Sequence, residues 1–71
     1  SRAMRPEAGE IVHIGKSTFV ITMVHDLGDD RWVVWLRLLG RGKRRYTTHA
    51  WRSASGQIVY GEPLLVVQSS L

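Results

Sequence analysis

The sequence feature best suited to binding chemistry is a run of basic residues, RGKRRY, over positions 41–46. Six Lys and Arg residues and no acid lie between positions 37 and 52, so this segment carries +6. The remaining residues carry four bases and six acids, which brings the net charge to +4. Because clustered positive charge attracts polyanions more strongly than dispersed charge, the segment predicts an anionic partner.

Nucleic acid, either DNA or RNA, is the partner that this segment favours. Guanidinium groups match phosphate oxygens, and aromatic rings can stack on bases. An arginine beside glycine on a narrow hairpin could also enter a minor groove. The residues predicted to form the nucleic-acid site are Trp35, Arg37, Arg41, Lys43, Arg44, Arg45, Tyr46, Trp51 and Arg52.

Two alternatives to nucleic acid stay open. The same Trp and Arg side chains could anchor an acidic protein partner, as in a small regulator or assembly component, because Trp and Arg are frequent energetic anchors of interfaces. The basic run could also be only a solvated, charged turn that protects a sheet edge.

Residues that could do catalytic or metal chemistry lack the required spacing. GKS at 15–17 matches the end of a phosphate-binding loop, but a strand rather than a helix follows it. The three histidines, at 13, 25 and 49, show no paired-ligand spacing, and no Ser nucleophile has a base beside it. We therefore predict a protein that is not an enzyme and that uses no cofactor and no metal.

Length and composition predict one small domain. A chain of 71 residues buries roughly 60% of the surface that its unfolded form exposes. It contains no cysteine, which suits a reducing cytoplasmic location, and no apolar run near the ~20 residues of a membrane helix, so no membrane partner is expected. Residues 1–8 should form a flexible arm, with 1–3 a cloning remnant before Met4, and residues 9–71 a single domain.

The chain is organised around an apolar strand, RWVVWLRLL, over residues 31–39. Period-two alternation places Trp32, Val34 and Leu36 on one face, and turn-forming LGDD and GRGK flank the segment. Further strands are predicted over residues 10–14, 19–26, about 44–50, 58–60 and 64–68.

Turn chemistry predicts how these strands pair. A two-residue tip at 28–29 would set Trp32 opposite His25 and Val34 opposite Met23, and a four-residue loop at 15–18 would set Ile14 opposite Phe19. Both registers collect one apolar face. Its predicted members are Val12, Ile14, Phe19, Ile21, Met23, Val34, Leu36 and Leu38, with Trp32 at the end and His25 at the edge.

The third hairpin should contain a three-residue loop at 41–43. That choice turns Tyr46, Thr48 and Ala50 inward, which avoids the cost of burying the charge of Arg45. The outer face then carries Val33, Trp35 and Arg37 beside Arg45, Thr47, His49 and Trp51.

Five or six short strands without a long helix close most economically as a small barrel. Three meandering strands, a fourth strand, a short turn and a closing strand resemble SH3-like small barrels, including KOW and Tudor-type domains. The segment GEIVHI is similar to the opening strand of a KOW unit, although FVITMVHD lacks the interior glycine pattern of KOW. The resemblance implies an all-β SH3-like barrel of five or six strands, with at most one short helical turn, that binds nucleic acid or peptides.

The end of the chain suggests self-association. Residues 64–68, LLVVQ, are strongly β-prone and follow Pro63. If they form an edge strand, Leu64–Val67 could pair with a second copy as a homodimer.

Overall fold

The computed structural model describes residues 4–40 and 42–67, which fold as a nearly closed antiparallel β-barrel without a helix in that part of the chain. This confirms the predicted all-β class and is compatible with a small SH3-like barrel. No helix within these residues is long and apolar enough to cross a membrane. The six strands are β1 (Ile11–Ile14), β2 (Ser17–Gly28), β3 (Arg31–Leu38), β4 (Arg45–Arg52), β5 (Ile58–Tyr60) and β6 (Leu64–Leu65).

The strands follow the order β1-β2-β3-β4-β5, and β6 also pairs with β4. Two short strands therefore share one edge of β4: β5 lies beside Ala50–Arg52, and β6 lies beside Tyr46 and Thr47. The predicted final strand is shortened to β6, and Gln68 lies outside the described residues.

The core is built from the inward face of β3. Trp32, Val34 and Leu36 alternate along that strand and are each at most 3% exposed. Phe19 and Ile21 from β2 and Ala50 from β4 complete the buried cluster. The predicted apolar face is thus confirmed in its centre, with partly buried side chains packed around it: Val12, Ile14, Val24, Leu38, Tyr46, Ile58 and Tyr60.

The β2–β3 register was predicted correctly only up to Ile21, which lies opposite Leu36. A bulge between Ile21 and Met23 then adds one residue to β2. Because one extra residue reverses the alternation, Met23 points outward and Val24 takes its place opposite Val34. The prediction of Met23 as a core residue is therefore wrong.

The far end of the same hairpin also differs from the prediction. His25 lies opposite Val33 and is exposed, and Asp26 takes the position opposite Trp32. After a second irregularity, Gly28 pairs with Arg31, so the tip is Asp29-Asp30 rather than Gly28-Asp29. Both aspartates have positive φ, 56° and 58°, as a type I′ turn requires, and short polar side chains tolerate this conformation.

The other two hairpins keep the predicted faces with different loop lengths. Ile14 pairs with Ser17, so the first loop has two residues rather than four, and a shift of two leaves every side chain on its predicted face. In the third hairpin Leu36 pairs with Tyr46, and Thr48 and Ala50 are buried as predicted. Its loop, between Leu38 and Arg45, is longer than three residues and includes Arg41, which lies outside the described residues.

Residues 4–10 lie along β2. Pro6 is buried, Arg5 Nη2 lies 3.8 Å from Asp26 Oδ2, and the Gly9 N–H donates to the Ile21 carbonyl over 2.7 Å. The flexible arm that was predicted over residues 1–8 stays a prediction, and its first three residues fall outside the described range.

Leu36 is fully buried at the centre of β3, so replacing Leu36 by Ala should lower the free energy of unfolding by about 2–5 kcal/mol. The matched control is Leu39→Ala, because Leu39 is 37% exposed just beyond the strand. Urea unfolding of both variants measures the difference. Equal losses would contradict a core centred on the inward face of β3.

Candidate nucleic-acid interface

The outer face of β3 and β4 carries the predicted set of side chains. Directly opposite pairs along the two strands are Arg37 with Arg45, Trp35 with Thr47, Val33 with His49, and Arg31 with Trp51. Trp35 is half-buried, and Arg37 and Arg45 are exposed. The sequence prediction of which residues share this face is confirmed.

Arg37 and Arg45 form a like-charged cross-strand pair. Residues that lie directly opposite on antiparallel strands have Cβ atoms about 5 Å apart, and like charges in this arrangement are destabilising. Over residues 4–40 and 42–67 the ion pairs are Arg5 with Asp26 and Arg52 with Asp30, so neither member of the pair has a carboxylate partner there. The arginine pair is therefore a site where an anion would remove a repulsion.

A depression lies beside the arginine pair. Its volume is about 330 Å³, and it is lined by Thr22, Met23, Trp35, Arg37 and Arg45. The bulge in β2 places Met23 opposite Trp35, and the Thr22 hydroxyl donates to the Trp35 carbonyl over 3.3 Å. An apolar floor thus lies next to two guanidinium groups, as recognition of an anionic group with an attached flat ring requires.

The sequence prediction of the site missed Met23 and Thr22. Both follow from the bulge, and FVITMV alternates acceptably in either register, so no local signal reveals the extra residue. Bulges are frequent beside functional sites because they redirect a side chain, as this one redirects Met23.

Lys43 and Arg44 extend the positive surface beyond the ends of β3 and β4. Both are exposed, and together with Arg45 they face Leu65, Val66 and Val67 across a cleft of about 620 Å³. Arg41 belongs to the predicted site but lies outside the described residues. The predicted homodimer through Leu64–Val67 stays a prediction, and these apolar residues are 40% exposed or more.

Three predicted site residues contribute no side chain at the arginine pair: Tyr46, Trp51 and Arg52. Tyr46 points inward, where its ring packs edge-to-face on Phe19 with centroids 5.3 Å apart. Trp51 is outward and 40% exposed, but it lies six positions, or about 20 Å of strand, from Arg45.

Arg52 is held by contacts with the β2–β3 turn and with the core. Its Nε lies 3.3 Å from Asp30 Oδ1, its backbone N–H donates to the Asp30 carbonyl over 3.0 Å, and its guanidinium lies 5.6 Å from the Trp32 ring centroid. The side chain is only 25% exposed. Arg52 therefore ties the β2–β3 turn to β4 and covers the core tryptophan.

The histidines form no common site. His25 and His49 flank Val33 on the outer face, whereas the His13 ring is hydrogen bonded to Thr18 Oγ1 at 3.0 Å. Within the described ranges, no three His, Cys, Asp or Glu side chains are grouped so that they could hold a metal ion.

Comparison with protein-family models, with curated proteins and with solved structures finds no match to this chain.

If the arginine pair is held at a cost in stability, Arg37→Glu should stabilise the protein, because it replaces a repulsive cross-strand pair by an attractive one. We expect a gain of about 0.5–1 kcal/mol at low salt, shrinking at high salt. Lys16→Glu, which makes the same charge change in the exposed β1–β2 turn, is the control. Urea unfolding that shows Arg37→Glu less stable than the wild type would refute the repulsion.

Proposed function

We propose that this protein is a small, non-enzymatic module that binds nucleic acid through the outer face of β3 and β4. The observation that carries the proposal is the Arg37–Arg45 pair beside half-buried Trp35, with no carboxylate partner in the described chain. An anion held between the two guanidinium groups relieves their repulsion and gains charge-assisted hydrogen bonds. The resemblance to SH3-like KOW and Tudor-type modules supports a binding function of this kind.

The binding surface favours single strands. A phosphate at the arginine pair would place the attached base over the depression floored by Trp35 and Met23. Only an unstacked base can reach that floor, because duplex bases are already stacked. Lys43 and Arg44 would hold further phosphates beyond the strand ends, and Trp51 offers a second ring at the far end of β4.

An acidic protein partner is the second candidate, and one observation favours it. Cross-strand pairing places Met23, Trp35, Thr47 and Leu64 in one row across four strands. Met23 is 53% and Leu64 63% exposed, so this row is more apolar than phosphate binding requires. Aromatic, Met and Arg side chains are enriched in protein interfaces.

Salt dependence separates the two candidates. Single-strand binding through about three to five phosphates should weaken roughly 20–130-fold between 50 and 200 mM salt, because each contact releases counterions. Anisotropy titrations of fluorescent single- and double-stranded oligonucleotides measure this, and the single strand should bind more tightly. Protein binding anchored by Trp35 should weaken only modestly over the same range.

The matched variants are a Lys43→Ala/Arg44→Ala/Arg45→Ala protein and a control that removes two bases elsewhere, Arg5→Ala/Lys16→Ala. The first should lose most of the affinity and the control little. If wild type and triple variant bind oligonucleotides equally weakly, the basic hairpin is a solvated turn and the acidic-protein hypothesis takes the place of this proposal.

A further inference from the structure

The barrel is left open along one seam, between β1 and β5. The ladder of β1 joins it only to β2, and the ladder of β5 joins it only to β4. In the described part of the chain no backbone hydrogen bond links β1 to β5. A groove of about 670 Å³ lies at the seam. It is lined by Met4, Arg5, Glu7, Glu10, Val12, Gly56, Gln57, Ile58 and Tyr60.

Within residues 4–40 and 42–67, both edges of the seam carry backbone N–H and C=O groups that have no backbone partner. Ser53 N–H donates to the Gln57 carbonyl and Gly61 N–H to the His49 carbonyl, so the odd-numbered residues 57, 59 and 61, in and beside β5, direct their backbone groups toward β4. Because alternate residues direct their backbone groups to opposite sides, Ile58 and Tyr60 direct theirs into the seam. The two-residue turn after Ile14 fixes the same alternation in β1, where Ile11 and His13 face the seam.

The floor of the groove is apolar and continuous with the core. Val12, Ile58 and Tyr60 are half-buried and pack against the buried cluster. Burial raises the pKa of the Tyr60 phenol, and the negative charge of Glu10, which lines the same groove, raises it further. A strand lying in the groove could therefore place every second side chain on the core.

The wall formed by residues before β1 is acidic. Glu7 and Glu10 line it, whereas the one cation of the lining, Arg5, is directed to Asp26 at 3.8 Å. This charge complements a lysine or arginine side chain. It distinguishes the groove from the outer face of β3 and β4, where the arginine pair selects anions.

We propose that the seam binds an extended peptide as an additional β-strand, with alternate apolar side chains on Val12, Ile58 and Tyr60 and a cationic side chain against Glu7 and Glu10. Strand addition satisfies open backbone groups on both edges at once, which neither a lipid surface nor a nucleic acid does. The occupant is a basic, apolar segment of a partner protein. This proposal is independent of nucleic-acid binding, because Arg37 and Arg45 do not line the groove.

Amide hydrogen exchange tests the open seam directly. In the free protein the amides of Ile11, His13, Ile58 and Tyr60 should exchange rapidly, whereas those of Val12 and Val59, which face β2 and β4, should be protected. Protection of all six amides in the free protein would show a closed barrel and overturn the proposal.

The binding experiment uses a labelled peptide of about seven residues that alternates valine with threonine and carries one lysine in place of a terminal valine, because Glu10 and Val12 line the same face of the groove. It should bind and should protect the four seam amides, and the same peptide with glutamate in place of that lysine should bind at least about tenfold more weakly. Two N-methylated versions, blocked at odd or at even residues, should both fail, because an inserted strand bonds on both sides. Survival of one version would mean addition to a single edge, and this result, like failure of the parent peptide to bind, would overturn insertion into the seam.

Protein variants complete the test. Glu7→Lys should weaken the peptide at least about tenfold, and Glu62→Lys, an exposed acid outside the groove, should leave it unchanged. Arg37→Glu should also leave it unchanged, and loss of binding there would place the peptide on the outer face instead. Sedimentation that shows a dimer displaced by the peptide would make a second copy the occupant and would overturn the proposal.

Discussion

The whole structure depends on the burial of one face of β3. A strand has only two faces, and packing Val34 and Leu36 at 0% exposure against β2 and β4 fixes where every neighbouring side chain must point. Hydrophobic burial of this face is the main stabilising term available to so short a chain without disulfides. The same constraint directs Trp35 and Arg37 outward, so the candidate interface is a direct consequence of the core.

Much of the fold follows from that alternation and could be predicted. The apolar face of β3 and the inward turn of Tyr46, Thr48 and Ala50 each follow from keeping charge out of the core. An error of two residues in the predicted pairing register left every strand side chain on its predicted face, because side chains alternate with a period of two. An error of one residue reverses the faces, and the bulge after Ile21 alone put Met23 and His25 on the wrong face.

The candidate site was less predictable than the fold, because nearness in sequence does not give nearness in space. Tyr46 and Arg52 both belong to the basic segment 37–52, yet one packs on Phe19 and the other covers Trp32. Arg37 and Arg45 are eight positions apart and become direct neighbours only through the pairing of β3 with β4. Met23 lies beside them because of a bulge in β2, and no residue type in that segment indicates a bulge. The barrel also separates two surfaces of opposite charge, the outer face with Arg37 and Arg45 and the wall of the β1–β5 seam with Glu7 and Glu10.

The central claim is that Arg37 and Arg45 repel each other in the free protein and that a bound polyanion removes this repulsion. The most direct measurement is a double-mutant cycle with Arg37→Gln and Arg45→Gln, followed by urea unfolding with and without a saturating single-stranded oligonucleotide. The account predicts an unfavourable coupling of about 0.2–1 kcal/mol in the free protein at low salt, lost or reversed in the complex. A coupling that is zero or favourable in the free protein and unchanged by the oligonucleotide would contradict it.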